Sequence, residues 1–218
     1  MNTNVFKTSM HKFYIVIFLS FLFSFSNGAY ADADGAKNFV KSISDKVLAV
    51  VKDKSLSDSQ KEKELTNIFQ NSVDAKWMGR FAMGKYFRQA SGEEQSKYLK
   101  LYNEFLIHSY VPRFREYTSE EFKISDVKAV EDGQVMVQTE LVPQTKDAPA
   151  IRVDYRIKSD AGIYKVIDVV GEGVSLITTQ RSDFGGMISS KGVPYFISKL
   201  EERVKNLKLQ VASNGGKS

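Results

Sequence analysis

Two short turn signals in the middle of the chain constrain its fold more than any other feature. Asp132-Gly133 and Asp160-Ala161-Gly162 each stand between two segments in which apolar and polar residues alternate. Short loops of this composition between such segments are typical of β-hairpins. The pattern therefore predicts four antiparallel strands, at residues 122–130, 134–141, 151–158 and 163–170.

The predicted strands carry apolar side chains on one face of the sheet. Val135 and Val137 share a face of the second strand, because side chains two residues apart point to the same side. In the third strand, one face carries Ile151, Val153, Tyr155 and Ile157, and the other carries Arg152, Asp154, Arg156 and Lys158. Such alternation predicts an antiparallel sheet with one apolar and one polar face.

Helical patterns precede and follow the predicted sheet. Phe39, Ile43 and Val47 recur at four-residue intervals, as on the buried stripe of a helix. Further on, Ser91 and Glu94 have the spacing of a capping box, in which the side chain of each residue accepts a hydrogen bond from the backbone N–H of the other. Helices followed by consecutive antiparallel strands and further helices define an α+β domain.

Other boundary signals complete this outline. Ser57 or Asp58 is a suitable N-cap for a second helix, and a short helix is expected over 74–82. Pro112 is expected to end or kink the helix that the capping box begins. Gly192 precedes the last helix. We expect one domain over residues 32–211 and a disordered tail at 212–218.

Residues 1–31 have the three parts of a secretory signal. Lys7 and Lys12 supply positive charge, an apolar run of about 13 residues follows, and Ala29 and Ala31 are the small residues before a cut after Ala31. A membrane-spanning helix needs about 20 apolar residues, so the run predicts a cleaved signal rather than an anchor. The chain has no cysteine that could carry a lipid.

Composition limits the chemistry that the rest of the chain can perform. Two of the 31 basic residues and none of the 26 acidic residues precede Asp32, so the remainder has a formal charge of only +3. This small excess argues against a nucleic-acid binder. His108 is the only histidine after residue 31, and no cysteine is present, which excludes a thiol nucleophile and the common zinc sites. The sequence predicts no metal and no cofactor.

No common catalytic motif is present in the sequence. Asp154 and Asp168 lie on predicted strands, where carboxylates are more often exposed or paired with basic groups than catalytic. A cavity-based isomerase or hydrolase using one of them is the alternative to a binding protein, and an adaptor with an apolar groove is a third possibility. Periodicity indicates which side chains point inward, and it leaves open whether they line a cavity or fill a core.

Two segments of the chain resemble a known family. The first is Tyr164-Lys165-Val166-Ile167-Asp168-Val169-Val170-Gly171-Glu172-Gly173-Val174-Ser175-Leu176, followed by Gln180-Arg181-Ser182-Asp183-Phe184 and Gly192. The second is Met83-Gly84-Lys85-Tyr86-Phe87-Arg88-Gln89-Ala90-Ser91, followed by Tyr110 and the region of Tyr117. Together they are similar to the MlaC family of periplasmic phospholipid carriers, also called toluene-tolerance auxiliary proteins. The similarity extends over roughly residues 36–208.

The chain departs from the family pattern at a few positions. Phe87 and Tyr164 replace frequent tryptophans and keep an aromatic ring. Ile167 replaces a frequent tyrosine, and Thr179-Gln180 replaces a frequent Asn-Tyr pair. These changes leave the implied fold intact and affect which lipid tails or partners would be contacted.

The resemblance implies a fold and a function. The fold would be α+β, with a four-stranded antiparallel sheet of the nuclear-transport-factor type and helices that enclose an apolar cavity. The cargo would be a phospholipid whose acyl chains lie between sheet and helices. The protein would be a monomer in the periplasm that moves lipid between an inner-membrane ABC transporter complex and an outer-membrane lipoprotein–porin complex. This traffic would maintain outer-membrane lipid asymmetry, without enzymatic activity.

The predicted faces and the resemblance together give a set of candidate site residues. The sheet-side lipid-binding candidates are Val135, Val137, Val153, Tyr155, Val166, Val169, Val174 and Leu176. The helix-side candidates are Phe81, Tyr86, Phe87, Tyr102, Leu106, Tyr110, Phe184 and Ile188. The candidates for contact with a headgroup or a partner are Arg80, Lys85, Arg88 and Arg181.

Overall fold

The computed structural model describes residues 32–114, 121–143 and 149–215, with side chains as far as Val211. The predicted signal, Tyr117 and part of the loop between the second and third strands lie outside the described residues. The predicted domain and tail boundaries stay predictions. Helical backbone continues past 211 to Gly215, and 216–218 lie outside the described residues.

The two turn signals do join pairs of antiparallel strands. The strands are β1 (Glu121–Val130), β2 (Gln134–Val142), β3 (Ile151–Asp160), β4 (Ile163–Gly171) and β5 (Val174–Ser175). They follow one another across the sheet in sequence order. Asp132, Gly133, Ala161 and Gly162 all have positive φ angles, as tight hairpin turns require.

The prediction of four strands is wrong by one. Val174 and Ser175, which the sequence places after the last strand, pair with Gly171 and Val170 and form β5. Glu172 and Gly173 make the reversal, with φ angles of 48° and 82°. A pairing of two residues leaves no alternating pattern in the sequence, which is why the periodicity does not reveal it.

The described part of the chain contains seven helices. They are α1 (Ala33–Lys52), α2 (Asp58–Ser72), α3 (Ala75–Met83), α4 (Lys85–Gln89), α5 (Gly92–Phe114), α6 (Leu176–Lys191) and α7 (Val193–Gly215). A single 3₁₀ turn, Glu131–Gly133, lies between β1 and β2. No described helix is long and apolar enough to cross a membrane.

Local polar contacts begin the helices where the sequence indicates. Ser57 caps α2, and its capping box with Gln60 is complete. The box of Ser91 and Glu94 is also complete, with backbone-to-side-chain distances of 2.8 and 3.2 Å. Pro112 lies inside α5, which continues to Phe114. Pro112 has no backbone N–H, so one hydrogen bond is missing from this part of the helix. The described helix nevertheless continues two residues past it.

Candidate functional site

One apolar cluster, here called the sheet cluster, lies between α1 and the apolar face of the sheet. Its buried members are Ala36, Val40, Val135, Val137, Ile157 and Val166. Cross-strand pairing places Val137 beside Tyr155, and Tyr155 beside Val169, on this same face. The cluster consists mainly of small aliphatic side chains, and α1 is the helix that supplies its buried members opposite the sheet.

The start of α1 is tied to the sheet by a polar contact. The Asp32 carboxylate caps α1 by accepting the Gly35 N–H at 2.8 Å, and it also accepts the Tyr164 hydroxyl of β4. The hydroxyl and the Gly35 N–H stabilise the carboxylate and lower the pKa of Asp32. The Phe39 ring lies against the Tyr164 ring in a tilted arrangement, with centroids 5.8 Å apart. Sequence periodicity predicts the apolar part of this arrangement and not the tether.

A second cluster, here called the helical cluster, lies among the helices. Its largest fully buried side chains are Tyr98, Tyr102 and Phe196, and the Tyr98 ring contacts the rings of the other two. The Tyr98 hydroxyl donates to the Gly79 carbonyl oxygen at 2.9 Å, and the Tyr102 hydroxyl donates to Gln180 Oε1 at 2.6 Å. Burial raises the pKa of both tyrosines above its usual range. The cluster is therefore packed with rings whose hydroxyls have partners.

The structure divides fourteen of the sixteen lipid-binding candidates between the two clusters, and Val153 and Val174 belong to neither. Val135, Val137 and Val166 are buried in the sheet cluster, with Tyr155 and Val169 packed against it. Of the rest, Tyr102, Leu106 and Ile188 are buried in the helical cluster, and those packed against it are Phe81, Tyr86, Phe87, Tyr110, Leu176 and Phe184. Val153 is half-buried on the sheet, and Val174 is 62% exposed.

The two clusters meet at Val73, the residue between α2 and α3. Val73 packs against both clusters and forms a single parallel bridge with Val166. The next residue, Asp74, donates its backbone N–H to the Val166 carbonyl oxygen at 2.9 Å and caps α3 with its side chain. This junction fixes the helical cluster against the edge of the sheet cluster.

An open cleft of about 630 Å³ lies between α1 and β1. Leu48, Phe122 and Ile124 supply its apolar surface, and its polar lining is Lys37, Lys41, Ser44, Asp45, Lys52 and Glu121. Phe122 and Ile124 also pack against the sheet cluster, so the cleft continues the apolar face of the sheet. Its volume is within the range of ordinary ligand pockets.

The cleft joins basic groups to an apolar surface. Lys41 forms an ion pair with Asp45 at 2.7 Å. Lys37 and Lys52 are exposed and form no ion pair or hydrogen bond with another described residue. A lysine with no acidic partner is available for an anionic group at the mouth of the cleft.

Sequence reasoning missed every residue of this cleft. Lys37, Lys41, Leu48 and Lys52 recur at intervals of about one or two helical turns, which places them on one side of α1. This stripe of residues is apparent in the sequence. It lines a cleft only because β1, about 70 residues away in the chain, packs beside it.

The two strand carboxylates are engaged in structural contacts. Asp168 is 1% exposed and accepts the Ser175 hydroxyl at 2.6 Å and the Ile177 N–H at 3.2 Å, at the start of α6. Asp154 is 4% exposed and receives the Arg152 guanidinium, with the closest nitrogen at 2.7 Å. Both carboxylates therefore have a structural use that explains their burial.

The four cationic candidates lie on the helices, and three of them contact aromatic rings. Arg181 lies 4.8 Å from the centroid of Phe81, and Arg80 lies 5.5 Å from that of Phe87. Lys85 lies 5.1 Å from the centroid of Tyr86. Arg88 is exposed at the end of α4. Among the described residues, no three His, Asp or Glu side chains are close enough to hold a metal ion.

The fold defines an α+β protein in which helices cover the apolar face of a meandering antiparallel sheet and leave an open cleft at its first strand. The family model of the MlaC protein matches residues 41–202. The chain therefore belongs to the MlaC family, as its two signature segments indicate.

Two relatives extend this comparison. The chain is 23% identical over 132 residues to the intermembrane phospholipid transport system binding protein MlaC of Haemophilus influenzae. That alignment spans 60% of this chain and 62% of the relative. A solved phospholipid-binding protein of Ralstonia solanacearum, in complex with a phospholipid, is 26% identical with a TM-score of 0.69. The match covers 79% of this chain and 98% of that protein.

Proposed function

We propose that this protein is a soluble phospholipid carrier of the periplasm. The observation that carries the proposal is the Ralstonia relative, which shares the fold over 98% of its length and was solved with a phospholipid. Membership of the MlaC family supports the same function. The features of residues 1–31 support export with cleavage after Ala31.

We place the cargo on the apolar face of the sheet, with its entrance at the α1–β1 cleft. Phe122 and Ile124 connect the cleft to the sheet cluster, which offers aliphatic contacts to an acyl chain. Lys37 and Lys52 would hold the phosphate near solvent. If the cargo lies there, its acyl chains would contact Val135, Val137, Val153, Tyr155, Val166 and Val169. Contact of the cargo with Val174, Leu176 and the helix-side candidates stays a prediction.

The energetics of lipid transfer support a docked handover. Burying an acyl chain gains about 0.8 kcal/mol per CH₂ group, so release of a two-tailed lipid into water is opposed by tens of kcal/mol. A partner can take the lipid only if it favours an open carrier or offers a competing apolar site. The proposed partners are the inner-membrane ABC transporter complex and the outer-membrane lipoprotein–porin complex, in the service of outer-membrane lipid asymmetry.

We propose a binding function without an enzymatic step. Asp168 orders the turn into α6, and Asp154 is neutralised by Arg152, so both carboxylates that an enzyme would use are engaged in holding the sheet. The relatives are described as phospholipid-binding and transport proteins. A carrier needs an apolar site and a means of opening it, and it needs no reactive group.

Native mass spectrometry of gently purified protein tests this function. We expect one phospholipid per chain for the wild type. The double variant Leu48→Asp, Ile124→Asp should lose most of its lipid, because it places two carboxylates on the apolar surface of the cleft.

The matched control is Ile163→Asp, Leu209→Asp, which makes the same chemical change at side chains that are already 64% and 61% exposed. This control should keep its lipid. Wild-type protein without phospholipid would contradict the proposed function, and lipid loss in both double variants would contradict the proposed position.

A further inference from the structure

The segment 75–92 contains four cations and no acidic residue. Lys76 and Arg80 are one turn apart on α3, and Lys85 and Arg88 are one turn apart on α4. All four are exposed. Arg181 of α6 joins them, because its guanidinium lies over Phe81 of α3 and close to Gly84, between α3 and α4. We call these five residues the α3–α4 patch.

Several basic residues elsewhere in the described chain have acidic partners, unlike the cations of this patch. Lys97 pairs with Glu201 at 2.8 Å, Lys208 with Glu104 at 2.8 Å, and Lys199 with Glu202 at 2.7 Å. Within the described ranges, no member of the patch has an ion pair or hydrogen bond to a protein group. Unpaired charges on neighbouring turns create a positive field that attracts an anionic surface.

Aromatic rings hold two of the patch guanidiniums in position. Arg181 and Arg80 lie over Phe81 and Phe87, and Trp77 stacks on Phe81 with centroids 5.4 Å apart. A guanidinium placed over a ring can still donate its N–H groups to carboxylates, and less side-chain entropy is lost when it binds. Fixed arginines of this kind favour a protein surface with ordered carboxylates.

The patch lacks the apolar anchors that a membrane surface requires. Binding at a bilayer interface combines basic residues with apolar side chains that enter the lipid. Trp77, Phe81, Tyr86 and Phe87 are only half-exposed. The large apolar side chains that are exposed in the described chain lie elsewhere, at Val130, Ile151, Ile163, Val174, Met187, Tyr195 and Leu209.

From these contacts we infer that the α3–α4 patch is a docking surface for an acidic face of a membrane-bound protein. The inference rests on the proposed carrier function, and it adds the surface and the charge of the partner. The patch belongs to helices of the helical cluster, whereas the cargo entrance lies between α1 and β1. Docking and cargo binding therefore use different residues.

Cosedimentation with membranes tests the docking surface. The chain has no cysteine, so one exposed position can be changed to cysteine and labelled with a fluorophore. Binding is measured to envelope membranes from the source cells, to the same membranes after protease treatment, and to protein-free vesicles of phosphatidylethanolamine and phosphatidylglycerol. Lipid content of each protein sample is measured in parallel by native mass spectrometry.

We expect the wild type to bind intact membranes and to lose this binding after protease treatment. The variant Arg80→Glu, Lys85→Glu, Arg88→Glu should bind about tenfold more weakly, because charge steering is reversed. The neutral triple variant Arg80→Gln, Lys85→Gln, Arg88→Gln should show a smaller loss of membrane binding. This second variant keeps the test valid if the charge-reversed variant folds poorly. The control Lys63→Glu, Lys158→Glu, Lys205→Glu has the same net charge as the reversed variant and changes exposed lysines outside the patch.

Four outcomes would overturn the docking assignment. The first is wild-type binding to protein-free vesicles that equals its binding to intact membranes, which would indicate a lipid surface. The second is equal membrane binding by the patch and control variants, and the third is no binding of the wild type to intact membranes. The fourth is loss of bound phospholipid from the patch variant, which would indicate contact with the headgroup. Wild-type protein that docks but never carries phospholipid would contradict the carrier function and leave the docking surface supported.

Discussion

The helical cluster and the sheet cluster differ in how completely they are closed. In the helical cluster, Tyr98, Tyr102 and Phe196 are at most 2% exposed, and several helices surround them. In the sheet cluster, small side chains such as Ala36 and Val40 of α1 face the strands, and the cleft opens along the same helix. The first region is enclosed by helices, and the second borders an open cleft, through which the proposed cargo would enter.

The difference between the clusters would let one domain be stable and still accept the proposed apolar ligand. Aromatic packing and satisfied hydroxyls in the helical cluster supply stability that does not depend on cargo. The α1 contact with the sheet rests on aliphatic side chains, the Phe39–Tyr164 ring contact and one polar tether, and it borders an open cleft. We therefore expect that separating α1 from the sheet costs less than opening the helical cluster. The following predictions test this contrast, beginning with the largest expected effect.

Leu106→Ala should destabilise the protein strongly, because Leu106 is 1% exposed within the helical cluster. We expect a loss of about 3 kcal/mol in the free energy of unfolding, measured by urea denaturation. Leu48→Ala in the cleft is the matched control, since Leu48 is only half-buried. It should cost less than about 1 kcal/mol. Equal losses for the two variants would remove the distinction between the regions.

Gly79→Ala tests how closely α3 and α5 approach. A Cβ atom at Gly79 would lie 2.9 Å from Tyr102 Cδ1 and 3.1 Å from Leu99 Cδ2, closer than the packing permits without a shift. We expect a loss of about 2 kcal/mol from overpacking. Gly186→Ala in α6 meets no atom within 4 Å and should stabilise the protein by about 0.5–1 kcal/mol through helix propensity. A neutral Gly79→Ala variant would show that the helical cluster is loosely packed.

Tyr164→Phe should have the smallest effect, and the effect should depend on pH. The Tyr164 hydroxyl and the Gly35 N–H lower the pKa of Asp32, so the folded state favours the charged carboxylate. This contribution is complete above the pKa of Asp32 in the unfolded chain and is lost as the pH falls through the lower folded-state pKa.

The stability gap between wild type and Tyr164→Phe should therefore be largest at neutral pH and close at acidic pH. Urea midpoints of both proteins across this range measure it. A gap that widens on acidification would contradict the tether.

The sequence was sufficient for features that depend on neighbouring residues. The hairpins at Asp132-Gly133 and Ala161-Gly162 and the caps at Ser57 and Ser91 were predicted because short segments determine them. Inward-facing residues such as Val137 were also predicted, since strand periodicity fixes the face.

Features that depend on distant residues were not predicted. Strand β5 is too short for a pattern, and the cleft forms only where α1 meets β1. The separation of the candidates into two clusters also cannot be predicted from the sequence. Periodicity indicates that Tyr102 and Val135 are both buried, but it does not show that they belong to different clusters. The four cations of segment 75–92 are apparent in the sequence. Only the fold shows that they have no acidic partner among the described residues.

The position of the cargo is the central claim, and photo-crosslinking of a bound phospholipid tests it most directly. The protein is loaded with a phospholipid that carries a photoactivatable group on one acyl chain, irradiated, digested and mapped by mass spectrometry. We predict adducts on α1 and on β1, around Leu48, Phe122 and Ile124. Adducts confined to α3, α5 and α6, with none on α1 or the strands, would contradict the account.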